Sequence, residues 1–191
     1  MLKVDSLKLP ISFDQIKMAK ELEALENSIW VEHFVKNNYE GEWSILPLRG
    51  PKGETHPIRM SYSDPTQQAF EDTPFLNTAS YFAEVIQWFQ CPVKSVRLMK
   101  LSAGSRIKTH TDLNLAFEHG EARLHIPVKT NAHVHFFIND IEVKMREGEC
   151  WYLKLSEPHS VVNNSETDRV HLVLDVIVNT WLQEKLFDDI K

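Results

Sequence analysis

Three side chains in this sequence are of the types and spacing that hold a metal ion. They are His110 and Asp112, separated by Thr111, and His159 in Pro158-His159-Ser160. Alternate residues of a strand share a face, so His110 and Asp112 can present an imidazole nitrogen and a carboxylate oxygen to one ion. A His-x-Asp pair is common by chance. Alone it reads as a surface histidine beside a turn aspartate. The second histidine, at the start of a later strand, makes the set more specific. Two imidazoles and one carboxylate suit a non-haem Fe(II) site that keeps open positions for other ligands.

Arg169 follows His159 across a turn-rich segment, Asn163-Asn164-Ser165-Glu166-Thr167-Asp168. It opens a run that alternates cleanly. Val170, Leu172, Leu174 and Val176 fall on one face; Arg169, His171, Val173 and Asp175 fall on the other. An inward arginine is costly unless an anion meets it. Its planar fork suits a carboxylate, either a ligand or an acidic side chain in a structural pair. If residues 159–162 and 169–174 form a hairpin, His159 and Arg169 approach one cavity. Arg123-Leu124-His125-Ile126-Pro127 is patterned alike, with Arg123 and His125 on one face. That face either turns inward to an anion or is an exposed polar surface.

The other histidines read differently. His133-Val134-His135 alternates, but a cupin-type His-x-His site needs a glutamate three or four residues later. Here the next one, Glu142, lies beyond the Asn139-Asp140 turn. His133 and His135 therefore read as the polar face of an outer strand. His33, His56 and His119 have no partners in sequence and read as surface residues. Phe136, Phe137, Trp151 and Tyr152 read as core or cavity wall.

The elements that must position these groups follow from periodicity. Residues 12 to 37 read as a helix, with Ser12 or Asp14 as cap and Ile16, Ala19, Leu22, Leu25 and Ile29 as its apolar stripe. The stretch from Gly41 to Pro65 is rich in proline and glycine and reads as loops and short strands, Trp43 to Leu46 among them. A second helix is expected over Thr78 to Phe89, ending before Cys91-Pro92. From Val93 short strands alternate with turn signals, which indicates a sandwich or barrel. A short helix near Trp181 closes the chain. The fold expected is mainly β with helices (α+β): a cupin-like double-stranded β-helix, or jelly roll, with a helical N-terminal layer. Residues 1–191 read as one domain, with 1–92 as a helical and loop part and 93–182 as the jelly-roll core.

Composition sets limits. The chain has 191 residues, 21 basic and 27 acidic, for a net charge of −6. No basic stripe stands out, so nucleic acid is not an expected partner. Cys91 and Cys150 form no CxxC pair or disulfide framework and read as reduced buried thiols. The first residues lack the apolar run of a signal peptide, and no stretch is apolar enough to span a membrane. A cytoplasmic protein is expected.

Several stretches in order carry a family resemblance. They are Val96-Arg97-Leu98-Met99, Ile107-Lys108-Thr109-His110-Thr111-Asp112, Arg123-Leu124-His125-Ile126-Pro127, Gly148-Glu149-Cys150-Trp151-Tyr152-Leu153, Pro158-His159-Ser160-Val161 and Asp168-Arg169-Val170-His171-Leu172-Val173. Together they resemble the aspartyl/asparaginyl β-hydroxylase family of Fe(II)/2-oxoglutarate-dependent oxygenases, in the style of its small bacterial members, which include proline cis-hydroxylases. Gly41-Glu42-Trp43-Ser44 and Asp72-Thr73-Pro74-Phe75-Leu76 look similar but are less specific. The resemblance implies that His110 and His159 bind iron, and that Arg169 binds the distal carboxylate of 2-oxoglutarate. It places Arg123 and His125 at cosubstrate or substrate. The animal protein-hydroxylating branch lacks a carboxylate where this chain has Asp112, so this chain keeps the full triad. The activity implied is hydroxylation of a C–H bond in a small amino-acid-type or peptidyl substrate by molecular oxygen, with succinate and CO2 as co-products. Two other readings stand beside it: a non-catalytic jelly-roll module that binds a carboxylate or metal, and a cupin-type metalloenzyme that does not use 2-oxoglutarate.

Overall fold

Strand alternation governs the architecture. The computed structural model describes residues 4–62, 67–113 and 115–187. In chain order the N-terminal half holds β1 (Ser6–Ser12), α1 (Gln15–Leu25), β2 (Val31–Glu32), β3 (Tyr39–Glu40), β4 (Trp43–Pro51), α2 (Pro57–Met60), β5 (Phe70–Asp72) and α3 (Ser80–Trp88). There follow β6 (Val93–Leu101), β7 (Arg106–His110), β8 (Glu121–Lys129), β9 (Val134–Ile138) and β10 (Ile141–Glu142). The chain ends with β11 (Glu149–Leu153), β12 (His159–Asn163), β13 (Arg169–Ile177) and α4 (Thr180–Phe187).

These strands make two antiparallel sheets. The larger has eight strands in the order β1-β11-β8-β13-β6-β4-β2, with β5 paired on β4. The smaller has five, in the order β10-β9-β12-β7-β3. An apolar cluster joins Ile45, Met99, Leu101 and Val173 of the larger sheet to Ile107, Phe136, Ile138 and Val161 of the smaller. The protein is a double-stranded β-helix with its filling between the sheets.

The outer face of the larger sheet carries the second core. Leu98, Leu124, Ile126, Leu172 and Leu174 pack there with Met18, Leu22 and Leu25 of α1, Phe82, Val85 and Ile86 of α3, and Leu182 and Leu186 of α4. Each such side chain contributes about 1.5–3 kcal/mol by leaving water. With the outward residues fixed under helices, the intervening residues of the same strands must face the interior. Register aligns these in rows. Arg169, Leu101 and Trp43 are neighbours across β13, β6 and β4; His125, Val173 and Arg97 are neighbours across β8, β13 and β6.

Some elements differ from the sequence reading. The first helix is shorter than residues 12–37. Asp14 caps it, its Oδ1 accepting from the Ile16 and Lys17 amides at 3.0 and 3.1 Å. Its buried stripe is Met18, Leu22 and Leu25, while Ile16 is 75% exposed and Ile29 64% exposed. β1 lies where no strand was expected. The helical layer is present, but residues before 93 also supply five strands to the two sheets. Nor do residues 159–162 and 169–174 form a hairpin. β12 belongs to the smaller sheet and β13 to the larger. The buried Asn163 fixes that crossing, its Nδ2 donating to the carbonyls of Leu101, Ser102 and Thr167 at 3.1, 3.2 and 2.9 Å.

Candidate active site

His110 closes β7 and His159 opens β12, and the two are opposite one another in the ladder. Their rings are 4.3 Å apart. Asp112 lies just past the end of β7, held by its amide on the Leu155 carbonyl at 2.8 Å. One potential ligand atom from each of His110, Asp112 and His159 lies within 4.8 Å of the other two.

The imidazoles are set for coordination. Nδ1 of His110 is 2.8 Å from the Lys108 carbonyl, and Nδ1 of His159 is 3.0 Å from the Glu157 carbonyl. A carbonyl only accepts, so each Nδ1 carries the proton and each Nε2 keeps its lone pair. This is how an outer partner fixes the tautomer of a metal-binding histidine. Burial lowers the His159 pKa to about 4, which keeps the ring neutral.

Behind the triad lies a charge network. Arg123 donates through Nε and Nη2 to Asp175 at 2.6 and 3.1 Å, and through Nη1 to Asp112. Arg97 and the Ser95 hydroxyl also donate to Asp175, the latter at 2.9 Å. Burial alone would raise the Asp175 pKa; Arg123 and Arg97 outweigh it and hold the carboxyl well below its usual range. For Arg123 burial is likewise outweighed, by Asp175 and Asp112, and its pKa is raised. Both expected inward residues, Arg123 and His125, face the interior and line one cavity with the triad.

Arg169 lines the same cavity and is 2% exposed. Among the described residues no carboxylate meets it; its Nη2 contacts His171 Nδ1 at 2.8 Å. Burial pulls its pKa to about 9. His125 approaches the same His171 nitrogen at 3.3 Å, and burial, then Arg169, keep both rings neutral. Among the described residues four buried side-chain nitrogens lack a partner: Trp43 Nε1, Arg97 Nε, His125 Nε2 and Arg169 Nε. Three of these four residues line the cavity. Each unmet group costs about 1–3 kcal/mol. Their concentration at one place leaves donors there for ligand or water atoms to complete.

Sequence reasoning missed several participants. His33, expected at the surface, is buried at 9% exposure and stacks on Trp43 with centroids 3.6 Å apart. Burial, then Arg97, lowers its pKa to about 3. No sequence signal marks it. Asp175 and His171 did carry a signal, since they alternate with Arg169 on an otherwise apolar strand. Arg97 shares that inward parity on β6. His56 and His119 are exposed, as is His133, and His135 pairs with Glu142 at 2.7 Å on the edge of the smaller sheet.

Fold and site together define a double-stranded β-helix with a two-histidine, one-carboxylate donor set at its opening and a buried arginine within. The profile of the aspartyl/asparaginyl beta-hydroxylases matches residues 13–178, and the chain belongs to that family. It is 28% identical to an L-proline cis-4-hydroxylase of Rhizobium meliloti (strain 1021) over 168 residues, 86% of this chain and 58% of the relative. It is 26% identical to L-proline cis-3-hydroxylase 1 of a Streptomyces species over 183 residues, 92% of this chain and 61% of the relative. The chain thus spans about three fifths of the length of these relatives. Among solved structures, an oxidoreductase of the 2OG-Fe(II) oxygenase family from Burkholderia pseudomallei shares the fold at a TM-score of 0.58 and 13% identity, covering 92% of this chain and 86% of that one. Among the described residues no helix is long and apolar enough to cross a membrane.

Proposed function

We propose that the chain is a single Fe(II)- and 2-oxoglutarate-dependent oxygenase domain. It hydroxylates a C–H bond of a small amino-acid-type or peptidyl substrate. Molecular oxygen and 2-oxoglutarate are consumed, one oxygen atom entering the product and the other succinate, with release of CO2. The names of the two relatives make free L-proline the first substrate to try. The observation that carries the reading is the pairing of a three-donor group, His110, Asp112 and His159, with a buried Arg169 that meets no carboxylate among the described residues.

The residues fit the groups that this reading requires. Two neutral imidazoles and a carboxylate are donors suited to Fe(II). Arg169, with its orphaned Nε, is suited to the far carboxylate of a dicarboxylate. Iron and 2-oxoglutarate supply the oxygen activation when bound. The chain's own part is positioning. Arg123 orients Asp112, the Lys108 and Glu157 carbonyls orient the imidazoles, and Ile107, Phe136 and Val161 keep the cavity wall apolar. The two buried cysteines are unpaired, in keeping with a reducing, cytoplasmic setting.

The test is succinate release from 2-oxoglutarate with added Fe(II) and ascorbate, across a panel of free amino acids and short peptides. Release that depends on iron and rises with one substrate is expected. No release under any condition would leave a binding module as the better reading.

A further inference from the structure

Among the described residues Arg169 has one polar side-chain contact, and it is with a residue behind the cavity rather than in it. Arg169 and His171 alternate on β13 and so share its inward face. His171 is 1% exposed and is not among the residues that line the cavity. Its ladder neighbours are Met99 on β6 and Pro127 on β8, whose side chains bring no N–H or O–H to its ring. The groups that reach Nδ1 of His171 are Nη2 of Arg169 at 2.8 Å and Nδ1 of His125 at 3.3 Å.

The protons at this junction follow from the arginine. A guanidinium nitrogen only donates, so Nδ1 of His171 is bare, its proton sits on Nε2 and the ring is neutral. Two bare nitrogens facing one another would repel, so His125 carries its proton on Nδ1 and keeps a bare Nε2. A neutral acceptor also suits Arg169 better than an acid does. An acidic side chain in this place would pair with the guanidinium and oppose an incoming carboxylate. An imidazole holds one N–H of Nη2 and leaves the positive charge unmatched, with Nε free to donate. The planar fork is then fixed before a ligand arrives, which lowers the cost of ordering it on binding.

We propose that His171 is a positioning residue for the cosubstrate: it accepts from Nη2 of Arg169, aims the rest of the fork at the far carboxylate of 2-oxoglutarate, and sets the proton of His125 on Nδ1. This rests on the reading that Arg169 takes that carboxylate. 2-Oxoglutarate is titrated calorimetrically into Zn(II)-loaded parent and variants, which do not turn over. His171→Leu removes the acceptor and is expected to weaken 2-oxoglutarate about tenfold, with Zn(II) affinity held within about twofold. His171→Asn places Oδ1 where Nδ1 stands and is expected to bind within about threefold of the parent. In an Arg169→Ala background His171→Leu is expected to add less than about twofold, because the pair acts as a unit. Long-range proton–nitrogen NMR of the parent, which needs no variant to fold, is expected to show His171 bare at Nδ1 and His125 protonated at Nδ1. His171 protonated at Nδ1, unchanged affinity in His171→Leu, or no recovery in His171→Asn overturns the proposal. A loss of about tenfold that persists in the Arg169→Ala background marks a merely structural residue and also overturns it. Failure of the hydroxylase reading shows separately, as a parent that binds Zn(II) but no 2-oxoglutarate, and would sink both.

Discussion

Arg123 binds Asp175 with two of its nitrogens and reaches Asp112 with the third. The carboxylate of the candidate donor set is thus held from behind by a guanidinium that is itself anchored to a fully buried acid. Asp175 stands on β13 and Asp112 follows β7, so the link ties the two sheets together at the opening of the cavity.

That link makes Asp175 a positioning residue. Asp175→Asn leaves Arg97 without its counter-charge and Arg123 with Asp112 alone in a dry site, and breaking a buried pair of this kind costs about 3–5 kcal/mol. Urea denaturation should show a loss of that size. Because Asp112 loses its support, metal affinity should also fall, by about 10–100-fold. A variant as stable as the parent, with unchanged metal affinity, would falsify the network's role.

His159 should govern metal binding without governing the fold. His159→Ala is expected to abolish stoichiometric Fe(II) or Zn(II) binding and iron-dependent turnover, while the circular dichroism spectrum stays that of the parent. A chelator should reproduce the loss of activity in the parent, and added Fe(II) should reverse it. Tight one-to-one metal binding in the variant would place the site elsewhere.

Stability of the metal-free protein should fall in mild acid. His33, with a pKa lowered to about 3, and His159, lowered to about 4, stay neutral in the fold. The unfolded chain protonates both below about pH 6.5. Between there and the lowered values the unfolded state binds more protons, so folding weakens as pH drops, by about 1.4 kcal/mol per pH unit for each group. Buried His125 and His171 act in the same direction. Near pH 3.8 and below, the unfolded form of Asp175 also takes up a proton that the native form resists, and the stability it gives is lost there too. Denaturation midpoints should be flat from pH 7 to 8 and decline steadily below 6.5. Midpoints that hold or rise between pH 6.5 and 5 would contradict this.

The site was legible in the sequence where a single strand carried the signal. Arg123 with His125, and Arg169 with Asp175, follow from two-residue periodicity, and the structure turns both sets inward; Asp112 reaches the cavity of His110 from just past the end of β7 rather than along the strand. What could not be read was which sheet a strand joins. The turn after His159 looks like a hairpin loop, and only the buried bonds of Asn163 to Leu101, Ser102 and Thr167 make it cross between sheets. His159 and Arg169 still meet one cavity, but across it rather than along one sheet. β1 has no legible pattern because Pro10 interrupts a short edge strand. The first helix is shorter than its pattern because Ile16 and Ile29 mimic a stripe, although both face solvent. His33 reads as surface because its burial depends on Trp43, which no local pattern brings to it.

Arg169 bears most directly on the proposed use of 2-oxoglutarate. Calorimetric titration of 2-oxoglutarate into Zn(II)-loaded parent protein and into Arg169→Ala measures its role. The loss of a buried guanidinium–carboxylate contact costs about 2–5 kcal/mol. At about 1.4 kcal/mol per decade, the variant should bind 2-oxoglutarate about 30-fold more weakly or worse, with metal affinity little changed. Arg169→Lys should recover only part of that, since an ammonium lacks the fork. Equal 2-oxoglutarate affinity in the parent and Arg169→Ala would contradict the account.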